Sequence, residues 1–147
     1  MAAMYTVDAS VFLSAFNPRE PGHDESQRLL GLMQDSGTPI VVPTLLLPEV
    51  AATIARGHGD ADLARRFSDA LSRLPHLVLV SLDLLLARQA ASLAAQHRLR
   101  GSDAVYAAVA LRFGSELVTL DKQQRERLAD AVVAWYPGEA LQQWQSR

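Results

Sequence analysis

Five short and almost wholly apolar stretches recur along this chain: "MYTV" (4–7), "PIVVP" (39–43), "HLVLVSL" (76–82), "ELVTL" (116–120) and "AVVAWY" (131–136). None alternates cleanly between apolar and polar residues. A strand covered on one face only would alternate with period two, so continuous runs predict strands buried on both faces. The segments between them carry helical spacing instead. "HDESQRLLGLMQDSG" reads as a helix with Asp24 as N-cap and Gly37 as its stop. "TLLLPEVAATIARG" accepts Pro48 only in a first turn. "DADLARRFSDALSRL" sets Leu63, Phe67, Leu71 and Leu74 on one face, and "GHG" (57–59) reads as the turn before it. "DLLLARQAASLAAQH", "SDAVYAAVALRFG", "DKQQRERLA" and "EALQQWQ" supply four more helices. Strands alternating with helices imply right-handed crossovers. The expected fold is therefore α/β, a three-layer α/β/α arrangement with a five-stranded parallel sheet.

Size and composition set the frame. At 147 residues and 49% hydrophobic, with no linker-like stretch and no repeat, the chain is expected to form one domain, residues 1–147. Its longest unbroken apolar run, "AVYAAVAL", is far too short to span a bilayer. No basic leader precedes the first strand, so a cytoplasmic protein without membrane association is expected. With no cysteine, disulfides and thiolate metal sites are excluded. The net charge of −2 does not by itself mark a nucleic-acid binder. Phosphate-binding and dinucleotide-binding glycine motifs are both missing from the sequence.

Four acidic residues stand out by position. Asp8 follows the first strand inside the apolar run "YTVDASVFLSAF". Asp121 follows the fourth strand. Glu49 falls in the first turn of the helix after the second strand, and Asp103 at the start of the helix entered from "LRGS". In a parallel sheet these points share the carboxyl edge, where ligands bind. Each acid also has a plainer reading. Asp103 and Asp121 suit helix caps, and Glu49 suits a helix dipole. Asp8 has no such duty. Gathered together, four carboxylates repel: two charges about 4 Å apart cost roughly 4 kcal/mol at an effective dielectric near 20. A divalent ion relieves that repulsion, and an all-oxygen donor set selects Mg²⁺ or Mn²⁺.

Taken in order, "YTVDASVFLSAF", "VVPTLLLPEV", "LRGSDAVYAAVAL" and "ELVTLDKQ" resemble the successive motifs of PIN domains, especially the VapC-type toxin ribonucleases. The resemblance covers roughly residues 4 to 130 and rests on order and spacing. It implies a single PIN-like domain and a Mg²⁺- or Mn²⁺-dependent endoribonuclease. The implied catalytic acids are Asp8, Glu49, Asp103 and Asp121, with Asp8, Asp103 and Asp121 holding metal. Ser10 and Thr119 match small hydroxyl positions that support the carboxylates. Some members carry one more acid about three residues after the fourth; here that position is Gln124.

Among the cations near these acids in sequence, Arg100 and Lys122 are the candidates for RNA phosphate contacts, with Arg98, Arg125 and Arg127 close by. The toxin resemblance further implies a homodimer and a VapB-type antitoxin as partner. That antitoxin is expected to set an arginine among the acids and to lie against the helices of "TLLLPEVAATIA" and "DADLARRFSDALSRL". The alternatives are a housekeeping RNA-processing nuclease of the same fold and a non-catalytic PIN-like module that binds RNA or protein.

Overall fold

The computed structural model describes residues 3–147. In chain order the elements are β1 (Tyr5–Val7), α1 (Ala9–Phe16), α2 (His23–Ser36), β2 (Ile40–Pro43), α3 (Leu46–His58), α4 (Ala61–Ser72), β3 (Leu77–Val80), α5 (Leu84–His97), α6 (Gly101–Phe113), β4 (Glu116–Val118), α7 (Lys122–Arg127), β5 (Ala134–Trp135) and α8 (Pro137–Gln145). The five strands lie in the order β3-β2-β1-β4-β5, and every neighbouring pair is parallel.

The continuous apolar strands distribute their side chains to two cores. Tyr5, Val7, Ile40, Val42 and Leu77 face one, with Val11 and Phe12 of α1, Leu29 and Met33 of α2, and Leu141 of α8. Val41 faces the other, with Leu86 and Ala90 of α5 and Ala104, Val105, Ala108 and Val109 of α6. Successive residues of a strand point to opposite faces, so a strand apolar throughout is what helices on both faces require. This is the expected three-layer α/β/α sheet.

Several local expectations need correction. Helix α2 starts after Gly22, which sits in the left-handed region at φ 77°, so Asp24 lies in the first turn and is not the cap. Gly37 does close that helix, also left-handed at φ 67°. Helix α3 runs through "GHG" as far as His58, and Asp60 caps α4 by accepting from the Leu63 amide at 3.0 Å. On α4, Leu71 is buried and Phe67 and Leu74 pack against the core, while Leu63 stays outside it. β3 is an edge strand: Leu77 and Leu79 pack on the first core and Val80 on the second, but Val78 is left 45% exposed, so one face is only partly covered. β5 is only Ala134–Trp135, because the Ala131 and Val132 amides turn back onto the Leu128 carbonyl and cannot join the sheet. Among the described residues, no helix is long and apolar enough to cross a membrane.

Candidate active site

The order of the strands decides where a site can form. The chain winds outward from β1 in one direction through β2 and β3, and in the other through β4 and β5. The carboxyl ends of β1 and β4 therefore flank the crevice where crossovers diverge. Asp8 leaves β1 there and Thr119 leaves β4. The parallel ladder continues past both strands: the Asp8 amide donates to the Val118 carbonyl at 2.9 Å, and the Thr119 amide to that of Trp135 at 3.0 Å.

Asp8 occupies the position before α1 but does not cap it with its side chain. Its carboxylate, 7% exposed, instead accepts two hydroxyl hydrogen bonds on one oxygen. Ser10 Oγ donates to Oδ2 at 2.7 Å, and Thr119 Oγ1 lies 3.1 Å from the same atom. Each hydroxyl is itself held by a backbone amide just after β4. The Leu120 N–H donates to Ser10 Oγ at 3.1 Å, and the Asp121 N–H to Thr119 Oγ1 at 3.0 Å. Burial pushes the Asp8 carboxyl above its ordinary pKa; the two hydroxyls pull it back, and the nearby Asp103 charge adds to the rise.

The first turn of α6 brings Asp103 to the edge. The residue in cap position is Arg100, which does not cap with its side chain, so the capping reading of Asp103 fails. Its carboxylate, buried at 7% exposure, accepts from Arg100 Nε at 3.0 Å. The same guanidinium reaches Asp121 Oδ2 at 2.5 Å. Asp121 does cap α7, taking the Gln124 amide on Oδ1 at 2.9 Å. Its two oxygens thus divide between helix and cation. Burial raises the Asp103 pKa and Arg100 lowers it.

Glu49, half-buried on α3, accepts from the Tyr106 hydroxyl at 2.7 Å. Burial raises its pKa, Tyr106 lowers it, and the charges of Asp8 and Asp103 raise it again. All four acids stand at one edge, three of them with their carboxyls pushed upward by burial. The geometry adds Tyr106 to the residues singled out from sequence, and gives a contact to Gln124, which the sequence marked only as a position lacking an acid. Tyr106 was legible in principle, since it lies one turn after Asp103 on α6 and so shares its face. Gln124, 1% exposed, lies within 2.7 Å of Thr119 Oγ1.

Arg100 is the only cation in contact with these carboxylates among the described residues, and its side chain is 65% exposed. The other basic candidates lie elsewhere. Lys122 is 79% exposed and pairs loosely with Glu126 at 3.9 Å. Arg125 grips Glu139 with two nitrogens, at 2.9 and 3.0 Å, and covers the Tyr136 ring. Arg127 donates to the Arg98 carbonyl. Among the described residues, no three acidic or histidine side chains are spaced to hold one ion together, and Arg100 stands between Asp103 and Asp121. The donor set nevertheless fits a hard divalent cation. It is all oxygen, one buried carboxylate lacks a cationic contact, and two others already share one.

Comparison with known proteins agrees with this fold. The family model described as "PIN domain" matches residues 5–129. Among solved structures, the Mycobacterium tuberculosis toxin VapC20, described as cleaving the sarcin–ricin loop, superposes with a TM-score of 0.71 at 19% identity, covering 88% of this chain and 96% of that one. A toxin–antitoxin complex from Klebsiella pneumoniae gives 0.67 at 18% identity, over 92% and 98%. VapBC-1 from nontypeable Haemophilus influenzae gives 0.66 at 14%, also over 92% and 98%. No sequence among curated proteins matches the chain.

Proposed function

The chain belongs to the PIN-domain family, and from that premise we propose that it is a Mg²⁺- or Mn²⁺-dependent endoribonuclease. The observation that carries this reading is the charge balance at the crevice. Four carboxylates meet there against one exposed guanidinium, and of the two buried ones, Asp8 has no cation in contact while Asp103 shares Arg100 with Asp121. Such an edge is costly empty and favourable around a divalent ion.

Asp8, Asp103 and Asp121 are the residues that would hold the ion. When bound, it would supply Lewis acidity, making water a better nucleophile precursor and offsetting charge that builds on the phosphodiester. The chain's own residues do the rest. Ser10 and Thr119 occupy Oδ2 of Asp8, which leaves Oδ1 for a cation. Tyr106 fixes Glu49, which orients water or helps to hold a second ion. Arg100 has to leave Asp103 and Asp121 before they take an ion. Its guanidinium, like the Lys122 ammonium, is then free for a flanking phosphate.

We further assign the chain the role of toxin in a toxin–antitoxin pair, acting in the cytoplasm as a homodimer restrained by a VapB-type antitoxin. Support comes from the family together with the shared fold of VapC20 and two toxin–antitoxin assemblies. An apolar groove lined by Phe12 and Phe16 of α1, Leu30 of α2, and Phe67 and Leu71 of α4 offers an antitoxin segment a seat. Helix α3 lines a smaller hollow beside Phe16.

The test is to incubate the pure protein with a panel of structured RNAs in Mg²⁺, Mn²⁺ or EDTA and to map the cut ends. Cleavage at a few defined positions with either metal, and none in EDTA, is expected. Undiminished cutting in EDTA, or no cutting of any RNA with either metal, would contradict the reading.

A further inference from the structure

Thr119 sits at a crowded junction. Its hydroxyl has one proton to give and two lone pairs to receive. The Asp121 N–H at 3.0 Å can only donate to it. Ionised Asp8 Oδ2, at 3.1 Å, can only accept from it. The third neighbour is the side-chain amide of Gln124, at 2.7 Å. With the amide oxygen toward Thr119, two acceptors compete for one proton. In that orientation Gln124 Nε2 is also buried with no hydrogen-bond partner.

The two ends of a carboxamide have nearly the same shape, so the surrounding hydrogen bonds decide which end points where. Turning Nε2 toward Thr119 resolves the conflict. The hydroxyl then receives protons from Gln124 and Asp121 and gives its own to Asp8. The partnerless end becomes a carbonyl, which buried sites tolerate better than an N–H. Ser10 follows the same pattern on the other side, receiving from Leu120 and giving to Asp8 Oδ2.

We propose that Gln124 is a positioning residue for Asp8: its amide donates to Thr119 and thereby obliges the Thr119 hydroxyl to donate to Asp8 Oδ2, keeping Oδ1 turned to the cation. The inference rests on the reading of Asp8 as a metal ligand. It gives position 124 a function that an acid there would not share. A carboxylate can only accept, so it would draw the Thr119 proton away from Asp8.

The test is Mn²⁺ affinity of the RNA-free protein, from the free-ion electron paramagnetic resonance signal at about pH 8, high enough to ionise a glutamate whose pKa burial raises by up to about 3. Wild type, Gln124→Glu, Gln124→Met and Thr119→Val are compared, together with the double variant Gln124→Glu/Thr119→Val. Thermal melts establish that each is folded. Gln124→Glu is expected to weaken binding roughly 10- to 100-fold, the usual effect of disturbing a ligand's hydrogen-bond partner. Gln124→Met, which leaves the Thr119 proton uncontested, should lose less. In the Thr119→Val background the glutamate should cost nothing further. Equal or tighter binding by Gln124→Glu would overturn the proposal and make position 124 an additional ligand site. So would an undiminished glutamate effect without the Thr119 hydroxyl. If the wild-type protein binds no Mn²⁺, the metal reading itself fails and this inference falls with it.

Discussion

At Asp8, burial and ionisation oppose each other, and the same tension recurs at Glu49 and Asp103. Burial raises all three carboxyls above their ordinary values. The folded metal-free protein therefore holds protons that the unfolded chain releases first. The stability these groups favour is complete below the unfolded values, from about pH 4 downward, and is lost as pH rises through the folded ones. Urea melts in EDTA should show stability falling from mildly acidic to neutral pH, with Mg²⁺ restoring it at neutral pH. A flat profile would contradict the burial argument. A second prediction concerns Tyr106, whose hydroxyl donates to Glu49. Tyr106→Phe should cost about 0.5–1.5 kcal/mol in urea melts and lower RNA cleavage, because Glu49 loses the bond that holds it. Unchanged cleavage would remove Glu49 from the mechanism.

Among the elements, α6 carries most of the site's precision. Residues 103 to 110 are all buried, and the helix divides its side chains between both cores. Its small residues allow this: Ala104, Ala107, Ala108 and Ala110 are at most 2% exposed. A helix apolar all round is what a central position requires. Ala107→Leu should overpack that position and destabilise the domain by about 1–3 kcal/mol, read from denaturant melts. A neutral result would mean that the sheet and α6 are more loosely packed than their burial implies. The strands taught a different lesson. The run "HLVLVSL" is as apolar as its neighbours, yet β3 is an edge strand. Composition within a strand does not report how many neighbours that strand has.

For the molecule as a whole, the sheet was readable because five apolar runs alternated with helices, and the gathering of four acids at one edge because they stand at strand ends and helix starts. The connections between those acids were not readable. Arg100 meets Asp121 across 21 positions, and Thr119 meets Asp8 across 111. Such contacts arise only when crossovers bring distant loops to one edge. Sequence alone offered Arg100 as a phosphate contact and left Gln124 as a missing acid; the fold sets the first between two carboxylates and the second behind Thr119. Helix caps illustrate the same limit, since Asp121 is one and Asp103 is not. The central claim, that this edge cleaves RNA through a cation centred on Asp8, is tested most directly by Asp8→Asn. Cleavage of a responsive RNA in Mg²⁺ is measured for wild type and variant, with thermal melts of both in EDTA. Loss of at least about 100-fold in cleavage is predicted, more than the loss of a supporting bond would cause, with a melting temperature equal to or above that of wild type. Cleavage retained within a few-fold by a folded Asp8→Asn protein would contradict it.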